Sequence, residues 1–383
     1  MTLENEVTLI GVGDLLLRRK FIDKMRGDPK YSEFLKIFGD ADITFGNLEV
    51  ILCTQGGPTR KPGIVKGDIT LVDDLASLGV DVVSLANNHT LDYGYGALFE
   101  MLQALDHKGI KHVGAGKNIE EADKEVVVEV QGKKIGFLSF SCSIPEGFAA
   151  GLERSGIAPI HVRTAYQVEY PRSIVSRVAQ EHSEAPFYQS LLDEPGFPPI
   201  IRTFPVVEDV QRVEKRIKDV KGIADFVIVS LHWGIAYYVG ATTHDWLCEY
   251  QPVLGHAIID AGADLVFGHH AHRIHAVEVY KKKPILYSVG NCITTPKFPA
   301  RKPATPQLPD KAKFWNLIIR VKLSKDGVNK IDIVPIIIDK KGCPYIAGGE
   351  EKRKIIDYVR GLSSPFETVI TYEKDEAAIQ AEQ

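Results

Sequence analysis

The sequence predicts an α/β fold, and three observations carry that expectation. Short apolar runs with strand character alternate with segments of helical period through the first half of the chain. The same rhythm returns after residue 205, beyond a stretch that has no long periodic run. Several predicted strands end, at their carboxyl side, in polar residues. That is where open α/β sheets bind their ligands.

Taken in order, "VTLIGVG", "DITFGN" and "VDVVSLAN" read as buried strands. Between and after them, "ITLVDDLASLG" and "YGALFEMLQALDHKG" carry helical spacing, the second closed by Gly109. "IKHVGAG" is a short strand, and "KEVVVEVQGKKIGFLSFS" is two strands joined by a turn at Gln131-Gly132. Residues 143–205 are rich in Pro, Gly, Ser and aromatics and read as an insertion covering the site. "VVEDVQRVEKRIKDVKG" is a helix, "ADFVIVSLHWG" a strand, "WLCEYQPVLGHAIIDAG" a helix and "ADLVFGHHAHR" a strand running into a loop. "AVEVY" and "PILYSVGN" are two further strands, followed by a Pro- and Lys-rich connection over 295–312. "FWNLIIRVKL" and "KIDIVPIIID" read as a strand pair, and a helix runs from about Glu350 to Arg360. The expected organisation is one domain over 1–295 that includes the insertion. A β-rich extension over 296–372 packs on the same domain, and a polar tail over 373–383 frays.

Composition narrows the function classes. The 383 residues are 44% hydrophobic and 25% charged, with a net charge of −4 and no long basic stripe, so nothing points to a nucleic-acid partner. Five scattered cysteines without a C-x-x-C pair argue against a disulfide framework and against a thiolate zinc site. The start "MTLENEVTLIGVGD" has no basic region followed by an apolar one, and no run reaches the roughly 18 apolar residues that span a bilayer. The chain reads as soluble and cytoplasmic, without a membrane segment.

The polar strand ends form the candidate site. Asp14 follows "LIGVG", Asn47 and Glu49 follow "ITF", and Asn88 and His89 follow "VVSLA". His232 follows "VIVSL", and His269, His270 and His272 follow "LVFG". Carboxylate, amide oxygen and imidazole together suit Mn, Fe or Zn. His270 and His272 can serve two neighbouring ions, an arrangement that activates water and clamps both oxygens of a displacement. Each residue alone also has a structural reading: Asp14 as a turn residue, Asn88 as a helix cap, Glu49 as a solvated group, His232 as a core histidine. Their common position at strand ends makes a shared metal site the better joint reading.

The segments "GVGDLLLRR", "ADITFGNLEV", "VVSLANNHTLDYG", "ADFVIVSLHWG", "IIDAGADLVFGHHAHRIHAVEVY" and "ILYSVGN" resemble the CapA, or PGA-cap, family. That family is associated with poly-γ-glutamate capsule synthesis in bacteria and is related to calcineurin-like metallophosphoesterases. The resemblance runs from about Val7 to Ile293, and residues after 295 carry no matching motif. It implies a four-layer α/β/β/α sandwich with one or two divalent ions at the strand ends. It further implies Asp14, Glu49, Asn88, His232, His270 and His272 as ligands and His89 as the residue acting on the leaving group. Two departures stand out. The Asp-x-His signature is Asp14-Leu15-Leu16 here, so one imidazole is missing, and the usual bridging aspartate is replaced by Asn47, with Glu49 two positions on. Glu49 is the better bridge, because a neutral amide holds two cations poorly.

Asp92, three residues after His89, either fixes the imidazole in one tautomer or shapes the turn with Gly94, while Asn87 ties the loop. Arg60, Lys61 and Lys66 in "GGPTRKPGIVKG", and His161 and Arg163 in the insertion, are the basic groups available to an anionic substrate. Two functions compete. One is a metal-dependent hydrolase in which metal-bound hydroxide attacks an amide or phosphoester bond of a small anionic substrate. The other is an accessory protein of poly-γ-glutamate synthesis that binds metal and the glutamyl polymer.

Overall fold

A computed structural model of the chain describes residues 6–167, 200–234, 247–294, 314–324 and 327–380. Two large sheets organise them. The first is built on β1 (Val7–Leu15), β2 (Ile43–Leu48), β3 (Val82–Ser84) and β4 (Lys111–Val113), which lie side by side and parallel. The second contains β5 (Val126–Val130), β6 (Lys133–Ser141), β7 (Phe226–His232), β8 (Leu265–His269), β9 (Val277–Tyr280) and β10 (Lys283–Leu286). Its order is β9-β10-β8-β7-β6-β5, with the four inner strands parallel. The turn between β5 and β6 falls at Gln131 and Gly132, both at positive φ, as a two-residue hairpin turn requires.

The period-two alternation of the strands decides what packs where. From β1, Val7 and Leu9 join Phe45 and Val82 against Phe137, Ile228 and Phe267 of the second sheet, so the two sheets share one apolar core. The Phe45 and Phe137 rings stack there at 5.4 Å. The intervening Ile10 and Val12 face the other way, into a cluster with α1 (Ile22–Arg26), α2 (Ser32–Gly39), α3 (Val72–Leu78) and α4 (Gly94–His107). On the far side of the second sheet, Leu138, Phe140, Val227 and Val229 pack against α5 (Val207–Lys221) and α6 (Tyr250–Ala261). Helices thus cover the outer faces of both sheets.

The described strands from Asn291 onward belong to the first sheet. β11 (Asn291–Ile293) pairs in parallel with the end of β1, and β12 (Trp315–Ser324) runs antiparallel along its start. β13 (Gly327–Ile338) pairs with β12, and α7 (Gly349–Ser363) buries Ile355, Ile356 and Val359 in the inter-sheet core. The chain then forms a hairpin of β14 (Ile370–Glu373) and β15 (Glu376–Ile379) on the edge of β13. Residues 373–380, expected to fray, therefore carry a strand. Ala377 and Ile379 supply the alternating apolar face that docks it, too short a pattern to stand out in a polar tail.

Within the segment expected as an insertion, the described residues add no strand to either large sheet. Val162–Gln167 and Ile200–Pro205 pair only with each other, and Gly156–Ile157 pairs with Ala115–Gly116. Phe148, Ile157, Ala158 and Ile160 are nevertheless buried in the two outer cores. No described helix is long and apolar enough to cross a membrane.

Candidate metal centre

Register brings the polar strand ends together. In the first sheet Asp14 pairs with Asn47 on one side and Asn291 on the other, and Asn47 pairs with Ser84. In the second, Ser141, His232 and His269 lie at one level. The loops that follow β2, β3 and β8 add Glu49, Asn88, His89, His270 and His272. His270 and His272 have φ of 90° and 55°, a left-handed backbone that costs a residue with a Cβ about 1–3 kcal/mol and gathers at functional sites.

Two donor groups result. Glu49, His232 and His270 offer ligand atoms within 4.8 Å of one another, and so do Asp14, Glu49 and His272. Glu49 belongs to both. Its Oε1 lies 3.4 Å from His232 Nε2 and its Oε2 lies 3.6 Å from His272 Nδ1. Asn88 Oδ1 is 2.7 Å from His232 Nε2, which adds an amide oxygen to the first group. Asn88 does not cap a helix: α4 begins at Gly94 with Tyr93 in the cap position. His89 stands just outside, its Nε2 4.0 Å from Glu49 Oε1 and its Nδ1 2.7 Å from Asp92 Oδ2.

Asn47 and Glu49 differ in their hydrogen bonds. Asn47 Nδ2 donates to Asp14 Oδ1 at 2.8 Å, and Asn47 Oδ1 accepts from Asn87 Nδ2 at 3.1 Å. Its amide is used in fixing neighbours. Glu49 has no exposed surface, and neither of its oxygens accepts a hydrogen bond among the described residues. Burial pushes its carboxyl well above the usual range; His272 opposes this and the Asp14 carboxylate adds to it. Burial would raise Asp14 too, but bonds to His269 and His272 hold it well below its usual range. Burial and the neighbouring His270 push His232 far down, toward the neutral form that can ligate. Burial and the Asp14 carboxylate both disfavour the charged form of Glu49, and a divalent cation between the two carboxylates would offset both. The donor set therefore fits divalent metal.

The profile of the family described as bacterial capsule synthesis protein PGA_cap matches residues 8–296. The chain belongs to this family. An uncharacterised protein of Sinorhizobium fredii is 23% identical over 433 aligned positions, which cover 96% of this chain and 91% of the relative. The "Capsule biosynthesis protein CapA" of Bacillus anthracis is 23% identical, covering 92% of this chain and 72% of its own length. A Mycobacterium tuberculosis protein named "Probable polyglutamine synthesis accessory protein" is 31% identical over 255 positions, 66% of this chain and 55% of the relative.

The PGA_cap match ends at residue 296, yet residues beyond it reach the centre. Asn316 of β12 accepts the backbone N–H of Asn291 at 2.6 Å. Asn291 itself has its Oδ1 2.9 Å from His272 Nδ1. Sequence reasoning passed over Asn291, although "PILYSVGN" carries the same signal as the other segments, a polar residue closing a strand. His269, one of the strand-end histidines but outside the expected ligand set, is buried with its Nδ1 3.3 Å from Asp14 Oδ1.

The basic candidates separate. Lys61 enters the centre: its Nζ lies 2.6 Å from Asp92 Oδ1 and 3.1 Å from His89 Nδ1. Thr59 N donates to Asp92 O and Val65 N to Asp92 Oδ2, so Asp92 holds the whole 59–65 loop as well as the imidazole. Arg60 is exposed and, with Lys61, Leu91, Tyr95, Glu146 and Phe148, lines a cavity of about 360 Å³ beside this loop. Lys66 lies over the Tyr93 ring, 5.0 Å from its centroid. His161 is bonded to Asp209 of α5 through both its backbone N and Nδ1, and Arg163 pairs with Phe204 in the separate two-stranded ribbon; neither contacts the centre among the described residues.

Proposed function

We propose that this PGA_cap protein is a metal-dependent hydrolase that cleaves an amide or phosphoester bond in a small anionic substrate. The observation that carries the reading is Glu49. It is a fully buried carboxylate with no hydrogen-bond donor among the described residues, shared by two ligand groups and flanked by a histidine outside both. The layering of helices and two face-to-face sheets, with the centre where their strand ends meet, supports a metallophosphoesterase-like sandwich as the frame.

The donors are oxygen and nitrogen, which suits Mn, Fe or Zn, held by Asp14, Glu49, Asn88, His232, His270 and His272. Bound divalent ions would lower the pKa of a water and neutralise charge on the group under attack. The chain's own residues do the rest. Asp92 Oδ2 accepts a hydrogen bond from His89 Nδ1–H, which turns Nε2 toward the centre; in the imidazolium form Nε2–H gives its proton to the departing group and the ring is left neutral, its remaining proton on Nδ1. Lys61 balances the Asp92 charge and keeps the loop over the imidazole. Arg60 gives the adjoining cavity, which Glu146 also lines, a cation for a carboxylate or phosphate.

The competing reading is an accessory protein of poly-γ-glutamate synthesis that binds metal and polymer without turnover. The names of the relatives, a capsule biosynthesis protein and a probable polyglutamine synthesis accessory protein, favour it. The two readings part on His89. In the hydrolase, His89→Ala keeps its metal and loses about two to four orders of magnitude in turnover, whereas His270→Ala loses metal and activity together. The measurement is metal content and hydrolysis of a panel of phosphoesters and γ-glutamyl amides. Metal-loaded protein that turns over neither class refutes the hydrolase and leaves the accessory role.

A further inference from the structure

We propose that Asn291 is a metal ligand, its side-chain oxygen completing the group made by Asp14, Glu49 and His272. The inference rests on the metal-centre reading above and extends it to a residue outside the expected ligand set. That group is short of a donor. Position 16, where the Asp-x-His signature of metallophosphoesterases would place an imidazole, is a leucine buried in the helix-side core. Asn291 approaches the same ion position from the opposite neighbour of β1, at the register partner of Asp14.

The distances fit one polyhedron. Around His272 Nδ1 lie Asn291 Oδ1 at 2.9 Å, Asp14 Oδ2 at 3.2 Å and Glu49 Oε2 at 3.6 Å. Ligands each about 2.0–2.2 Å from a shared ion stand about 3.0 Å apart at right angles and about 3.4 Å apart in a tetrahedron. The three separations fall in and around that range. Chemistry points the same way. A His272 Nδ1 that holds an ion carries no proton, so Asn291 Oδ1 can no longer accept from it. Two lone pairs at 2.9 Å would then repel unless the ion lies between them.

The oxygen is also held in place. Asn291 Nδ2 donates weakly to His272 O at 3.4 Å, which turns Oδ1 toward the ring. Asn291 N is fixed by Asn316 Oδ1. Gly290 before it adopts φ of 81°, and a Cβ there would sit 2.2 Å from Asn316 Oδ1, so the clasp depends on a glycine. Asn291 is 9% exposed, so its side chain lies in the interior beside His272.

The test uses the full chain, stripped with chelator and reloaded with Mn²⁺, with the ions located by anomalous diffraction and counted in solution. The expected result is an ion about 2.0–2.3 Å from Asn291 Oδ1, Asp14 and His272. Two ions per chain should fall to one in Asn291→Ala, while Asn291→Asp, which keeps an oxygen donor and the side-chain length, restores the second. An ion on Asp14 and His272 with Asn291 Oδ1 beyond 3 Å, or an Asn291→Ala chain that keeps both ions at unchanged affinity, overturns the inference. A chain that holds one ion at Glu49, His232 and His270 and none beside Asn291 overturns it too, while leaving the metal centre standing. A chain that takes up no ion overturns both.

Discussion

Replacing Glu49 by glutamine should move stability in opposite directions with and without metal. In the metal-free protein Glu49 is fully buried, accepts no hydrogen bond among the described residues and is repelled by Asp14. A buried polar group left in this state costs about 1–3 kcal/mol. Glutamine is neutral without taking up a proton, and its amide can donate to Asp14, so at neutral pH the metal-free variant gains roughly that amount. A chain of 383 residues unfolds with an entropy of about 0.8 kcal/mol/K, which converts the gain to about 1–4 °C in Tm. With metal the sign reverses. Wild type gains about 2.7 kcal/mol once the free ion stands at a hundred times Kd. The variant has lost the one carboxylate common to both donor groups; breaking such a buried pair costs about 3–5 kcal/mol, or about two to three and a half orders of magnitude in affinity. Calorimetry on chelator-treated protein, before and after adding Mn²⁺ or Zn²⁺, reads both effects. A variant that melts lower than wild type without metal, or that gains as much as wild type from the ion, refutes the assignment of Glu49 as the shared ligand.

Two further outcomes probe the frame around the centre. Gly11 of β1 meets the Phe267 ring edge, where a Cβ would lie 1.9 Å from Cζ, so Gly11→Val should force the sheets apart and cost about 1–3 kcal/mol by denaturant unfolding; an unchanged midpoint would show that the sheets do not close at this point. Deleting residues 373–383 removes β15 and exposes the surface that Ala377 and Ile379 cover, so the unfolding free energy should fall by about 2 kcal/mol or more, whereas a frayed tail would leave it unmoved.

Much of the centre was legible because its signal is local. A run such as "VVSLA" closed by Asn88 and His89, or "LVFG" closed by three histidines, advertises a strand that ends at a site, whatever lies beside it. Strand alternation and helix period similarly announce the α/β class. The same locality explains Asn291: its strand end was in view, but its neighbour across β1 was not. The basic loop illustrates the opposite case. Arg60, Lys61 and Lys66 are indistinguishable in sequence, and only the folded chain separates a lysine on Asp92 and His89 from one over Tyr93.

By itself, the sequence determined the class of fold, the order of its elements and the set of oxygen and nitrogen donors at their ends, because each of these follows from spacing within a few residues. Tertiary structure decided what those donors face. It divided the strands between two sheets, set Asp14 level with Asn47 and Asn291, and engaged the Asn47 amide with its neighbours while both Glu49 oxygens accept no hydrogen bond among the described residues. It also inserted β12, some three hundred residues downstream, beside β1, where Asn316 holds Asn291 against the centre. Such pairings have no local signature: a strand's pattern records that one face is buried, and which partner buries it is chosen by the whole chain.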